Sequence, residues 1–265
     1  MNARTALLAA ALTLTASRAA LADPPAIEDG GEPAAPAPAV SAERTADTGA
    51  YLPYTVPARS DAQRAYAWVQ GGYDSARGGA TIDSAVQANL AGRVSLRAGV
   101  GWTGPSGDVR PSVALSVDAL RQESHGVNLA IYGGYTGQGF NLVPAATVPA
   151  AVSRSFGRLN LLANLGYGYG LEQGEHYGEA RVAGLVRVHR LLTVGVDARA
   201  RLDLERDDDE PTNEPDWDVF AGPVATLTAG RFAVGAGVGY SAVKYRLTPG
   251  TTSGMVANLT LGAAF

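Results

Sequence analysis

No cysteine occurs anywhere in the chain. Disulfides, thiolate metal sites and a lipidated N-terminal cysteine are therefore excluded, and an exported protein of this size needs another source of stability. An unbroken apolar run of about 20 residues, the length a membrane-spanning helix requires, is also missing. Glycine, charged or polar residues interrupt every apolar stretch within a few positions. If the chain resides in a membrane, only a closed β-barrel can satisfy its backbone there. A basic excess is lacking too. The 21 Lys and Arg residues face 25 Asp and Glu residues, for a formal net charge of −4, which argues against a nucleic-acid partner. Histidine occurs only three times and no G-x-S-x-G motif is present, so the usual serine-nucleophile signature is absent.

What is present begins with an export signal. Arg4 supplies a charged start, Ala6 to Ala16 a short apolar core, and Ala20-Leu21-Ala22 an A-x-A cleavage site. Residues 1–22 are expected to be removed, taking Arg4 and Arg18 with them. Residues 23–63 are a different material, rich in Ala and Pro (Pro33, Pro36, Pro38, Pro53, Pro57) and poor in large apolar side chains. Such a segment cannot offset its own ordering entropy, so the expectation is a disordered periplasmic linker. Two alternatives are that it binds cell-wall material or enters a barrel as a plug.

From about residue 64 the pattern alternates with period two. In the last strand Met255, Ala257, Leu259, Leu261, Ala263 and Phe265 share one face, and Val256, Asn258, Thr260, Gly262 and Ala264 the other. Alternation of this kind marks a half-buried strand. A short connection recurs roughly every 32 residues, at Gly92-Arg93-Val94, Gly126-Val127, Gly157-Arg158-Leu159 and His189-Arg190-Leu191, followed by Gly230-Arg231-Phe232. Longer polar connections fall between them, at Asp74–Thr81, Thr103–Pro111, Thr136–Ala145, Glu172–Tyr177, Glu205–Asp216 and Arg246–Gly254. Five short turns alternating with six long loops give an all-β, transmembrane, antiparallel up-and-down barrel over residues 64–265. The count is twelve strands, with ten and fourteen the neighbouring even numbers. Short turns face the periplasm in outer-membrane barrels, which puts both termini on that side.

The strand ending near Leu204 assigns the faces. Leu192, Val194, Val196, Ala198, Ala200, Leu202 and Leu204 are apolar and point to lipid. Thr193, Gly195, Asp197, Arg199, Arg201 and Asp203 point to the lumen. The opposite choice would put charge in lipid at a cost of about 2–4 kcal/mol each at the bilayer midplane. The preceding strand agrees, with Glu179, Arg181 and Arg187 inward. Cross-strand charge pairing then predicts a register with Arg181 opposite Asp197 and Glu179 opposite Arg199, because the other odd register sets Arg181 against Arg199. Aromatic residues near strand ends suggest two interfacial belts. Tyr73, Trp102, Tyr135, Tyr167, Tyr169, Tyr177, Trp217, Tyr240 and Tyr245 make up the outer one, and Tyr66, Trp68, Phe156, Phe232 and Phe265 the periplasmic one.

On these marks the chain resembles the small, porin-like outer-membrane β-barrel proteins of Gram-negative bacteria. The alternating last strand ending on Phe265 is similar to the signal that the barrel-assembly machinery reads in that group. The resemblance implies outer-membrane lipid and lipopolysaccharide as surroundings and that machinery as a partner during biogenesis; a further protein partner stays unassigned. It implies location and architecture; the expectation of passage for ions or small polar solutes comes from the inward charges and from a twelve-stranded lumen wider than the eight-stranded one that side chains fill.

The candidate pore-lining charges are Arg93, Arg97, Asp118, Glu179, Arg181, Arg187, Asp197, Arg199, Arg201 and Asp203. They could set selectivity or pair with one another and close the lumen, which would leave a structural or adhesion barrel working through its loops or linker. No cofactor and no metal is expected. The acidic run from Glu205 to Glu210 lacks the ordered spacing of a calcium loop and reads as solvated. The connection after Thr136 could fold inward as a constriction or pack at the rim. A lipid-modifying enzyme would need a nucleophile beside His176, and the sequence supplies none at a spacing that can be justified.

Overall fold

The computed structural model describes Leu52, Thr55, Ala58 and residues 65–91, 93–104, 108–136, 145–170, 176–204 and 215–265. The stretch expected to be a signal sequence and most of the expected linker lie outside these, as do the connections at 105–107, 137–144, 171–175 and 205–214.

Twelve strands follow one another: β1 (Ala65–Asp74), β2 (Gly79–Ala91), β3 (Val94–Thr103), β4 (Asp108–Leu120), β5 (Asn128–Thr136), β6 (Ala145–Phe156), β7 (Leu159–Gly170), β8 (His176–His189), β9 (Leu192–Asp203), β10 (Pro215–Ala229), β11 (Phe232–Tyr245) and β12 (Thr252–Ala264). Each pairs antiparallel with its sequence neighbours, and β1 pairs with β12 to close the barrel. Closure removes both sheet edges, which is what a chain without disulfides requires. At the seam, Phe265 N donates to Ala65 O at 2.9 Å, so the terminal aromatic finishes the ring.

The five short connections fall where the sequence places them, and their end of the barrel, where the seam also lies, is called the turn end here. Gly157 and Gly230 have φ near +60°, the left-handed conformation that two-residue hairpin turns demand. Between β4 and β5 the link is one helical turn, α1 (Gln122–His125), ended by Gly126 with φ 75°. At the opposite, loop end, the β1–β2 link is tighter than expected, because Asp74 pairs with Gly79. Asp74 Oδ1 accepts the Ala76 N–H at 2.9 Å, and the chain reverses within four residues.

Faces alternate as the period of two dictates. Val196 is 54 % exposed and Phe265 66 %, whereas Asp197 is fully buried. Met255, Leu259 and Leu261 are exposed on β12, while Val256, Asn258 and Thr260 are buried. The molecule is apolar outside and polar inside, the inverse of a water-soluble fold. No helix among the described residues is long and apolar enough to cross a membrane.

The β8–β9 register departs from the charge-pairing expectation. Arg181 lies opposite Arg199, and Glu179 opposite Arg201. The reason is local. His189 pairs with Leu192 around a two-residue turn, and a bulge between Arg187 and His189 restores the facing parity. The aromatic belts need revision at three positions. Tyr66, Trp68 and Tyr177 are buried on inward faces, while Tyr73, Trp102, Tyr167, Tyr240, Phe156 and Phe232 are exposed.

Candidate functional site: the barrel lumen

The lumen is built from every second residue of the strands, and its walls differ in chemistry. The wall made by β8, β9 and β10 carries charge. Asp74, at the end of β1, holds Arg77 of the turn beyond it (Nη1–Oδ2, 3.1 Å). Arg77 in turn reaches across the lumen to Asp218 on β10 (Nη2–Oδ2, 2.6 Å). Asp218 Oδ1 accepts from Arg199 Nη2 of β9 at 2.5 Å. Arg199 Nε lies 3.8 Å from Glu179 of β8, and Glu179 Oε2 accepts from Arg181 Nη2 at 2.8 Å. Six groups of alternating sign thus form one chain across the loop-end half. Ser241 of β11 also donates to Asp74 Oδ1 at 2.9 Å. This chain explains why two arginines stand opposite each other across β8 and β9. A carboxylate lies beside each at a neighbouring position, and arginine's five donors can serve more than one.

Arg201 stacks its guanidinium 3.8 Å from the Tyr177 ring centre. Tyr177 in turn lies over Gly168, where an added Cβ would stand 2.1 Å from the phenol ring. Only a missing side chain lets the ring lie flat. Asp203 is paired with Arg246, which also approaches Asp216 at 3.6 Å. At the turn end Tyr66 and Trp68 pack with Ala85, Ala233 and Ala264, and Arg97 sits over the Trp68 ring at 5.3 Å.

The wall made by β12, β1 and β2 is mostly neutral and polar. Gln70 faces Thr260 on one side and Asp83 on the other, with Gln87 and Asn258 also buried nearby along the strands. Gln70 Nε2, Asn258 Nδ2 and Thr260 Oγ1 have no hydrogen-bond partner among the described residues. A dry core would leave each such group at a cost of about 1–3 kcal/mol, so this wall has the chemistry of a wetted surface.

Between the walls lie three residues of the segment expected to be a solvated tether. Leu52 packs with Leu162, Ala183, Leu185 and Val224, all inward-facing. Ala58 packs with Ala130, Tyr132 and Ala151. Thr55 Oγ1 donates to Asp197 Oδ1 at 2.5 Å. All three are buried, at 7 %, 0 % and 2 % exposure for Leu52, Ala58 and Thr55, so these three residues are inside the barrel rather than in solvent.

Of the charges the sequence placed in the lumen, Arg97, Asp118, Glu179, Asp197, Arg199 and Arg201 are buried on inward faces. Arg181, Arg187 and Asp203 are partly buried on the same faces. Arg93 is not in the lumen; it stands exposed in the β2–β3 turn, where its carbonyl accepts the Asp118 N–H. Asp74, Arg77 and Asp218 were missed. Asp218 reads as the tail of an acidic loop, but its parity with Phe220, two residues on, is that of an inward strand residue. His176 lies at the loop end against Tyr167 and Tyr169, with its Nδ1 at the Tyr167 hydroxyl. The acidic run 205–210 and the connection 137–144 fall outside the described residues.

No family model matches the chain and no curated protein matches it. Solved structures do. The chain superposes on the NanC porin with a TM-score of 0.53 at 11 % identity, covering 75 % of this chain and 98 % of that one. The KdgM porin, in complex with disordered oligogalacturonate, gives 0.52 at 8 % identity, with 76 % and 99 % covered, and a second KdgM structure gives 0.51 at 7 % identity. At these identities the likeness is one of fold alone, that of a closed antiparallel β-barrel.

Proposed function

We propose that this protein is a narrow passive channel of the Gram-negative outer membrane for ions or small polar solutes. In this reading the short turns and both ends of the barrel face the periplasm, the long connections face outward, and Phe265 is read by the assembly machinery. The observation that carries the reading is the neutral polar wall. Gln70, Asn258 and Thr260 present unpartnered donors and acceptors to the lumen, and buried polar groups of that kind are normally met by water. A file of such groups along β12 and β1, inside a barrel with an apolar exterior, supports a hydrated path. The fold shared with porins agrees with it.

The test is single-channel recording of the refolded protein, residues 23–265, in a planar bilayer. Discrete conductance steps are expected, and Arg181→Gln should move the reversal potential toward cation preference by removing one inward positive charge. A second reading, a closed structural barrel that acts through its loops, draws on the ion chain that crosses the loop-end half. Silence both from this protein and from the barrel lacking residues 50–60, each shown to be folded and inserted, would favour it and reject the channel.

A further inference from the structure

We propose that the segment anchored by Leu52, Thr55 and Ala58 is a displaceable plug, an intramolecular strap that holds the lumen closed in the resting state. The proposal rests on the channel reading and specifies how that passage is controlled. The wall itself supplies the first argument. A water-lined barrel should be polar inside, yet Leu162, Ala183, Leu185 and Val224 form an apolar patch on inward faces, and Ala130 and Ala151 contribute to a second. Without a partner both patches would face lumen water, which is unfavourable in proportion to their area. Leu52 covers the first and Ala58 the second, so the wall is complementary to this segment of the chain.

The second argument is the polar anchor between them. Asp197 is wholly buried, and the Thr55 hydroxyl donates to its carboxylate. The third argument concerns reversibility. The twelve strands complete their ladder with one another, and Leu52, Thr55 and Ala58 belong to none of them. Withdrawing the segment would leave that ladder, and with it the barrel, closed. Among the described residues it is held by the Thr55 hydroxyl and by the apolar contacts of Leu52 and Ala58, and the chain has no cysteine to tie it down.

Two experiments on the full mature chain decide the matter. Mean current at fixed voltage is compared between the wild type and a variant lacking residues 50–60, with folding of each checked by heat-modifiable gel mobility. The point variant Leu52→Asp, which puts a charge against the apolar patch, replaces the deletion should that one fail to fold. At least a threefold rise in current is expected. In the second, Thr55→Cys provides the only thiol in the protein, and its reaction with a hydrophilic maleimide should be at least tenfold slower in the inserted barrel than in urea. Equal labelling rates overturn the plug. Equal, measurable currents with and without the segment also overturn it, and leave the channel standing. If neither protein conducts, the plug and the channel reading fall together.

Discussion

Asp218→Asn tests whether the ion chain across the lumen contributes to stability. Asp218 accepts from Arg199 at 2.5 Å and pairs with Arg77 at 2.6 Å. All three side chains are at most 7 % exposed. With charge centres about 4 Å apart, each attraction is worth about 4 kcal/mol at an effective dielectric constant near 20. That gain is offset by the desolvation of three ions. Removing the carboxylate leaves the desolvation of the arginines in place. Arg199 keeps Glu179 at 3.8 Å and Arg77 keeps Asp74 at 3.1 Å, so the loss should lie at the low end for a broken buried pair, about 3 kcal/mol. The assay is reversible urea unfolding in short-chain lipid vesicles, followed by fluorescence of Trp68, Trp102 and Trp217. Arg199→Gln in the same background completes a double-mutant cycle. The double variant should be more stable than the sum of the singles by about 1–2 kcal/mol. The more exposed Asp203→Asn should cost under about 1 kcal/mol. If Asp218→Asn also costs under about 1 kcal/mol and the cycle is additive, these groups behave as solvated surface charges and the chain is no latch.

Three further outcomes follow from the geometry. Val196→Arg places a charge on the exposed face of β9 and should cost about 2–4 kcal/mol in the same vesicle assay; a neutral result would mean that this face does not meet lipid. Gly168→Ala drives a methyl into the Tyr177 ring and should cost about 1–3 kcal/mol as overpacking does, while an unchanged midpoint would place the ring elsewhere. Removing Phe265 deletes the seam hydrogen bond to Ala65 and should lower the yield of inserted barrel in cells while leaving refolding in detergent largely intact. Equal losses in both settings would make its role purely structural.

Strand count, facing and the position of every short turn were legible because they depend on periods along one chain. Val196 and Asp197 needed only the rule that adjacent residues point opposite ways. The connection at Asp74 was misjudged because Asp and Gly four residues apart in a polar stretch read equally well as solvated loop or tight turn; the decision came from the Asp74 carboxylate capping Ala76. Tyr66 and Trp68 were placed by nearness to a strand end, when their parity with Gln70 already turned them inward. Leu52, Thr55 and Ala58 left no local mark, since their partners are five or more strands away in sequence. A burial of that kind is a property of the finished cavity.

The failed register is the more instructive case. The expectation treated the lumen face of β8 and β9 as a flat ladder in which each side chain meets only the one directly across. Inside a closed barrel the inward faces are concave and long side chains converge. Arg199 therefore reaches Asp218 on β10 at a diagonal position and Glu179 on β8 at another, and Arg77 crosses from the β1–β2 turn to the same Asp218. Charge balance is enforced over the enclosed volume rather than pair by pair along the ladder. Arg181 can then face Arg199 because Glu179 lies within reach of both. The same reasoning bears on transport. A solute that displaced this chain would have to unpair several buried ions together, whereas the wall of Gln70, Asn258 and Thr260 asks only for an exchange of hydrogen-bond partners. Under the proposed channel function, passage is therefore expected along β12 and β1, with the charged wall fixing the shape of the lumen and its field.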